Sequence, residues 1–193
     1  MLTNILLAAV WAVFAIQNLM RYLETHDPIL LAFFCYETLY LFFFLFRTSA
    51  RATSFKPADW IPALIATYVA FLFIPGQATA LGQIGRTLFW IGIGAEFLSV
   101  ASLNRSLAIV PARRQVKTSG MYQFVRHPMY LAHTLIYIGY LLAYFSIWNL
   151  AIFAVYFVCM ILRIFNEERY LSEDEEYVLY LGRVRWRLLP FVY

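Results

Sequence analysis

Residues 117–130 read KTSGMYQFVRHPMY, a polar and basic stretch that ends in Arg-His-Pro directly before a long apolar run. From Pro128 to Leu162 the chain contains no Asp, Glu, Lys or Arg. A single helix over these residues would extend ~50 Å at ~1.5 Å per residue, and the hydrocarbon core of a bilayer is only ~30 Å thick. The run therefore has to turn.

Ser146, Trp148 and Asn149 lie in the middle of this run and indicate where it turns. We predict a helical hairpin with its two helices at 129–145 and 147–162. Each helix is near the lower length limit for spanning a bilayer. Two possibilities stay open at this point: the hairpin crosses the membrane, or it penetrates it without crossing.

The composition indicates a membrane protein. Of the 193 residues, 63% are hydrophobic and 13% are charged, whereas soluble domains carry about 25% charged residues. An open sheet edge is not tolerated in lipid, and no period-2 alternation supports a barrel. The sequence predicts an all-α polytopic membrane bundle of five to six segments. The apolar runs before the hairpin lie at 2–20, 29–46, 60–74 and 81–103.

The charges alternate along the chain. The segments 47–59 and 104–126 and the tail after Leu162 are rich in Lys and Arg, whereas 75–81 and 146–149 contain neither. By the positive-inside rule the basic loops are cytoplasmic, so the net charge of +4 does not require a nucleic-acid partner. The N-terminal run lacks a basic start and a cleavage site, and we expect it to be a retained helix.

A second polar island, 163–168 (RIFNEE), follows the hairpin. Arg163 and Glu167 stand at i and i+4 and share one face of a helix, while Glu168 points to a neighbouring face. Either this is a surface salt bridge, or the cation and the carboxylate hold opposite charges of two bound molecules. Cys35 and Cys159 lie in apolar runs without a CxxC partner, so we expect no metal site.

The Arg-His-Pro sequence is typical of a helix start. Pro128 suits the first turn, and the amides and dipole of that turn can bind a carboxylate. Gly120 permits a tight turn, and Tyr122 and Tyr130 offer aromatic faces to a purine or a sulfonium. His127 has two open interpretations, a structural hydrogen-bonding residue or a member of a ligand site.

Taken in order, these motifs resemble one family. The chain is similar over about its last 80 residues to the membrane-embedded isoprenylcysteine carboxyl methyltransferases and to their relatives, the phospholipid N-methyltransferases. The residues that carry the resemblance are Gly120, Tyr122, Arg126, His127, Pro128, Tyr130, Arg163, Glu167, Glu168, Leu171, Tyr177, Tyr180, Val184 and Pro190.

The resemblance implies S-adenosylmethionine as cofactor, in a site on the cytoplasmic side formed by residues 104–193. The helices of 1–103 would complete one integrated domain. Glu167 would hold the cofactor's amino group with Glu168 beside it, and Arg163 would orient a substrate carboxylate. We expect Arg163 and Glu168 to be catalytic. The cofactor-binding residues would be Gln115, Val116, Lys117, Gly120, Tyr122, His127, Pro128, Met129, Tyr130 and Glu167.

The expected reaction is methyl transfer to the carboxylate of a lipophilic substrate, such as a C-terminal prenylcysteine, that arrives from the bilayer. A carboxylate is ionised at neutral pH and needs no general base, whereas an amine must lose a proton, to Glu168 or His127. Three alternatives remain: a lipid N-methyltransferase, a reductase related to the membrane sterol reductases, and a non-enzymatic membrane subunit. We expect membrane lipids, no nucleic acid and no second protomer as partners.

Two ionisable residues lie within the apolar runs. Glu37 and Glu96 are costly there, and such groups mark function by default. Either residue pairs structurally with an Arg or Tyr of a neighbouring helix, or it lines the entrance for the substrate. The sequence leaves both interpretations open.

Overall fold

The computed structural model describes residues 2–74 and 76–192 and is α-helical with very little sheet. The described helices are α1 (Leu2–Thr25), α2 (Pro28–Phe46), α3 (Pro57–Tyr68), α4 (Gly82–Leu103), α5 (Pro128–Ala143), α6 (Ile147–Leu171) and α7 (Glu175–Arg183). Short 3-10 turns lie at Val69–Leu72, Asn104–Ser106 and Gly120–Gln123. Two antiparallel pairs are formed by β1 (Ala52–Thr53) with β3 (Ala112–Arg113) and by β2 (Gln77–Ala78) with β4 (Tyr144–Phe145).

Four of the described helices are long and apolar enough to cross a bilayer: α1 from Asn4, α2, α4 and α6. The apolar helix α5 is shorter, with 16 residues. The predicted all-α polytopic bundle is confirmed.

The hairpin forms, with different boundaries from those predicted. Helix α5 ends at Ala143, because Tyr144 and Phe145 pair with β2. Helix α6 begins after Ser146 and continues to Leu171, nine residues beyond the predicted end at Leu162. The prediction ended the helix where apolar residues end. The polar island instead continues as helix, because its side chains find partners within the protein.

The chain packs as two compact units. The first contains the chain up to Ser49 together with Leu103–Leu107. Within it, Trp11 of α1 stacks on Tyr40 of α2 with ring centroids 4.7 Å apart. Asn18 Nδ2 of α1 donates a hydrogen bond of 2.9 Å to Glu37 Oε2 of α2. The partner of Glu37 is therefore an amide on the neighbouring helix rather than the predicted Arg or Tyr.

The second unit contains Ala50–Ser102 and the chain from Ala108 onward. In this unit α4 and α5 approach closely through glycine. A Cβ on Gly92 would lie 2.8 Å from the backbone nitrogen of Ile136, and one on Gly85 would lie 2.5 Å from that of Ala143. Close approach through small residues is a common device for packing membrane helices.

Helices α3 and α6 of the second unit are joined by a buried carboxylate. Asp59 is 1% exposed. It accepts hydrogen bonds from Ser54 Oγ and, at 2.6 Å, from Arg169 Nη2. The β1–β3 pair lies next to this link, and Ser54 N–H donates to Pro111 O at 3.0 Å. These contacts hold residues 108–114 at the end of α6 that carries the second polar island.

Candidate functional site

The Arg-His-Pro segment is paired with the C-terminal tail. The backbone N–H of Arg126 donates to Trp186 O, and that of His127 donates to Arg187 O, each at 2.9 Å. The Arg126 side chain donates from Nε to Val184 O at 2.7 Å. The tail therefore closes one side of the loop that leads into α5.

Several backbone amides at the start of α5 are already hydrogen-bonded. Tyr130 N–H and Leu131 N–H donate to His127 O at 3.1 and 3.2 Å. We predicted from the sequence that these amides, and that of His127, could bind a carboxylate. The amide of His127 is bound by the tail. In the structure they are engaged within the protein.

Glu168 is surrounded by basic side chains. Its Oε1 lies 3.2 Å from both Arg126 Nη1 and His127 Nε2, and its Oε2 lies 2.9 Å from Arg187 Nε. The residue is buried. A carboxylate held at this position ties α6, the Arg-His-Pro segment and the tail together, and a substrate amine would have to displace one of these partners to use it as a base.

Glu167 has different surroundings from its neighbour. It is half-buried, and it accepts a hydrogen bond from the hydroxyl of Tyr130. Within the described part of the chain, Glu167 forms no ion pair. The Tyr130 ring is stacked on that of His127, with centroids 5.2 Å apart and an interplanar angle of 8°. Glu167 thus presents a carboxylate beside the stacked rings of Tyr130 and His127.

Arg163 contacts the ring of Tyr130 and binds the loop that contains Ala108 and Ile109. Its guanidinium carbon is 4.8 Å from the centre of the Tyr130 ring. Its Nη2 donates to Ile109 O at 2.6 Å and to Ala108 O at 3.3 Å, and its Nη1 donates to Thr67 Oγ1 at 3.2 Å. The predicted spacing with Glu167 is correct, since both residues lie on α6. The guanidinium, however, is largely occupied by backbone carbonyls.

Tyr122 is enclosed between the loop and the tail. Its carbonyl accepts a 2.7 Å hydrogen bond from the hydroxyl of Tyr180. Burial raises the pKa of Tyr122 well above its usual value, and the negative charges of Glu167 and Glu96 raise it further. The phenol is therefore neutral at physiological pH and lies within electrostatic range of both carboxylates.

Gly120 makes the turn that precedes Tyr122. It has φ +62°, a left-handed conformation that favours glycine. A Cβ there would collide with the side chain of Ser102, whose Oγ accepts a 3.2 Å hydrogen bond from Met121 N–H. The predicted turn is present, and it docks the loop onto the end of α4.

The other predicted cofactor residues lie in two places. Pro128 and Met129 are buried at the start of α5, beside His127 and Tyr130. Val116 packs against the tail cluster of Tyr177, Tyr180 and Val184. Gln115 is exposed and accepts a 2.9 Å hydrogen bond from Lys117 Nζ. Side-chain contacts connect His127, Tyr130, Arg163, Glu167 and Glu168 into one set. Tyr122, Gln115 and Lys117 lie on the loop that leads to it.

Two contributors were not among the predicted site residues. Arg187 binds Glu168 from the tail, and Asp59 binds Arg169 from α3. The tail of the sequence shows only a run of basic residues, so no local pattern marks Arg187 as special. The spacer 172–174 also has definite partners: Glu173 pairs with Arg113, and Asp174 caps α7 through Glu176 N–H at 3.0 Å.

Comparison with known protein families gives a match. Residues 81–174 match the family model described as phospholipid methyltransferase. The matched segment runs from α4 through α6 and contains all the predicted site residues. No curated protein matches the chain. The match indicates a membrane methyltransferase, which is the general class that the motifs predicted, and it covers slightly less than half of the chain.

Proposed function

We propose that this protein transfers a methyl group from S-adenosylmethionine to a lipophilic acceptor that reaches the site from the bilayer. One observation carries the proposal: Glu167, Tyr130, His127 and Arg163 converge at the end of the α5–α6 hairpin. They do so within the segment that matches the phospholipid methyltransferase family. The basic loops around the site favour a cytoplasmic location.

The residues present fit this cofactor. Glu167 offers a carboxylate that forms no ion pair with a Lys or Arg among the described residues, which suits an ammonium group. The buried rings of Tyr122 and Tyr130 suit a sulfonium or a purine. Once bound, S-adenosylmethionine supplies an electrophilic methyl group on a positively charged sulfur.

The protein's own groups then act by binding and positioning. Glu167 would hold the amino group, with the Tyr130 hydroxyl fixing the carboxylate. Glu168 would keep the tail closed over the loop through Arg126, His127 and Arg187. Exclusion of water and correct orientation can supply roughly 7–11 kcal/mol of the barrier for such a reaction.

An amine acceptor has the stronger support. The matched family acts, by its description, on phospholipids. The Nη atoms of Arg163, which the sequence assigned to a substrate carboxylate, donate to Ala108 O, Ile109 O and Thr67 Oγ1 instead. We therefore place a lipid amine first.

A carboxylate acceptor of the prenylcysteine type remains the second candidate. It rests on the position of Arg163, whose guanidinium lies 4.8 Å from the Tyr130 ring and thus next to Glu167. A substrate carboxylate that displaced one carbonyl partner would meet a fixed cation suited to bidentate binding.

The test is methyl transfer by the detergent-purified protein with labelled S-adenosylmethionine. Phosphatidylethanolamine and N-acetyl-farnesylcysteine are offered in parallel. We expect acid- and base-stable label in the phospholipid. Base-labile label in the prenylcysteine would move the function to carboxyl methylation. No label in either acceptor, and no binding of the cofactor, would contradict the proposal.

A further inference from the structure

A second pair of ionisable groups lies inside the second unit, next to the site. Glu96 of α4 is fully buried, and its Oε1 lies 3.5 Å from Nε2 of His133 on α5. The His133 side chain is 16% exposed. The histidine is therefore the more accessible member of the pair.

The pair lies at a shallow depth below the proposed cytoplasmic end. Glu96 is seven residues before the end of α4, and His133 is five residues after the start of α5. These offsets correspond to about 10 Å and about 8 Å along the helices. Such a depth suits the headgroup end of a lipid whose chains remain in the bilayer.

One aromatic ring lies beside the imidazole, and two more pack on that ring. The Tyr137 ring is parallel to that of His133, with centroids 6.1 Å apart, and it meets Tyr156 edge-on at 4.6 Å. Phe73 stacks on Tyr137 with ring centroids 5.5 Å apart. Aromatic faces beside a carboxylate are the combination that recognises an ammonium group.

The pair lies on the same face of α5 as Tyr130, because His133 follows Tyr130 by three residues on that helix. The pKa of Tyr122, raised first by burial, is raised further by Glu167 and by Glu96. Tyr122 is therefore within range of both. The charged and titratable groups around the pair are Tyr122, Tyr137, Tyr156 and Arg163.

We propose that His133, held by Glu96, receives the proton of a lipid ammonium group that the adjacent site methylates, and that Tyr137 and Tyr156 help to bind this ammonium. The inference rests on the proposed function and gives its acceptor a chemical class and a base. Glu96 is a positioning residue, because its carboxylate lies 3.5 Å from Nε2 and fixes the orientation of the imidazole. Glu168, with three basic partners already in place, is not needed for this step.

The reaction balances in charge and atoms. The ammonium loses one proton to His133 and becomes a neutral amine. Its lone pair forms the new N–C bond while the C–S bond of the donor breaks, and the sulfur keeps that electron pair. The product is a methylated ammonium and a neutral thioether. His133 then loses its proton to solvent once the product has left, which restores the neutral imidazole.

The binding test compares lipids with the same chains and different headgroups. The probes are fluorescent phosphatidylethanolamine and phosphatidylglycerol, titrated into the purified protein with S-adenosylmethionine absent. We expect the protein to prefer phosphatidylethanolamine and Glu96→Gln to lose at least tenfold of that preference. The matched control is Glu37→Gln, a buried membrane glutamate of the first unit, which should keep it. No preference in the wild type, or one that survives in Glu96→Gln, overturns the proposal.

The kinetic test separates a base from a structural residue. His133→Asn and Glu96→Gln should lower kcat for phosphatidylethanolamine about 100-fold or more at pH 7. The loss should shrink as pH rises, because hydroxide then removes the proton. The Kd for S-adenosylmethionine should be unchanged. A loss that is equal at every pH, or no loss, overturns the assignment.

The two proposals fail differently. If the wild type neither binds S-adenosylmethionine nor transfers methyl groups, the proposed function is wrong. If it methylates phosphatidylethanolamine and both variants match it, only the role of the Glu96–His133 pair is wrong.

Discussion

Glu167 and Glu168 are adjacent in the sequence, yet their side chains have different surroundings. Glu168 is bound by Arg126, His127 and Arg187, whereas Glu167 contacts the hydroxyl of Tyr130. The sequence predicts both as residues of the site. It could not predict this division, because Arg187 and Arg126 reach Glu168 only through tertiary folding.

The first prediction concerns the contacts of Glu168. Glu168→Gln should lower the free energy of unfolding by about 2 kcal/mol, because it removes a buried charge from three partners. The loss is not larger because one partner, Arg187, is partly exposed and its interaction is screened by solvent. A thermal melt in detergent measures this. Glu173→Gln is the control, because Glu173 is 65% exposed and pairs with Arg113 at the surface. Equal melting temperatures for the two variants would contradict a structural role for Glu168.

The second prediction concerns Arg163. Arg163→Ala should leave the carbonyls of Ala108 and Ile109 without their donor, at a cost of about 1–3 kcal/mol, and should loosen residues 108–111. Hydrogen exchange of that loop measures the effect. A residue that only oriented substrate would leave the exchange rates unchanged. The sequence placed Arg163 on the correct helical face, but its partners lie 54, 55 and 96 residues away.

At the level of elements, the hairpin and the start of α5 were predictable because each has a local cause. The uncharged run 128–162 is longer than one membrane-spanning helix, so it has to turn. Pro128 suits the first turn of a helix. The end of α6 was not predictable from hydropathy. Residues 163–171 remain helical because Arg163, Glu167 and Glu168 find partners on other elements, which no local pattern reports.

The close approach of α4 and α5 gives the third prediction. Gly92→Val should be strongly destabilising, because even a Cβ would lie 2.8 Å from the Ile136 nitrogen. Overpacking of this kind costs about 1–3 kcal/mol, and more when backbone must move. The control is Gly94→Val on the same helix, where a Cβ meets nothing within 4 Å. Melting temperatures in detergent should separate the two variants, and a larger loss at Gly94 would show that the helices pack through another face.

At the level of the whole molecule, the distribution of charge predicts the topology. The fourth prediction uses a variant in which Cys35 and Cys159 are replaced by Ala, with one new cysteine introduced at a time. A membrane-impermeant maleimide added to intact cells should label Gln77→Cys, in a connection without Lys or Arg, and should not label Thr118→Cys in the basic loop. Both positions are exposed. The reverse pattern would place the site on the outer side of the membrane.

The central claim is that Glu167 holds the cofactor of a methyltransferase. Its most direct test is equilibrium binding of S-adenosylmethionine, by isothermal titration calorimetry, to the wild type, Glu167→Gln and the control Glu173→Gln. We expect the wild type and the control to bind equally and Glu167→Gln to bind at least tenfold more weakly with an unchanged melting temperature. Loss of one charge-assisted hydrogen bond, about 1.5–3 kcal/mol, gives a change of this size. Equal affinity in all three proteins would contradict the assignment, and absence of binding in the wild type would contradict the function.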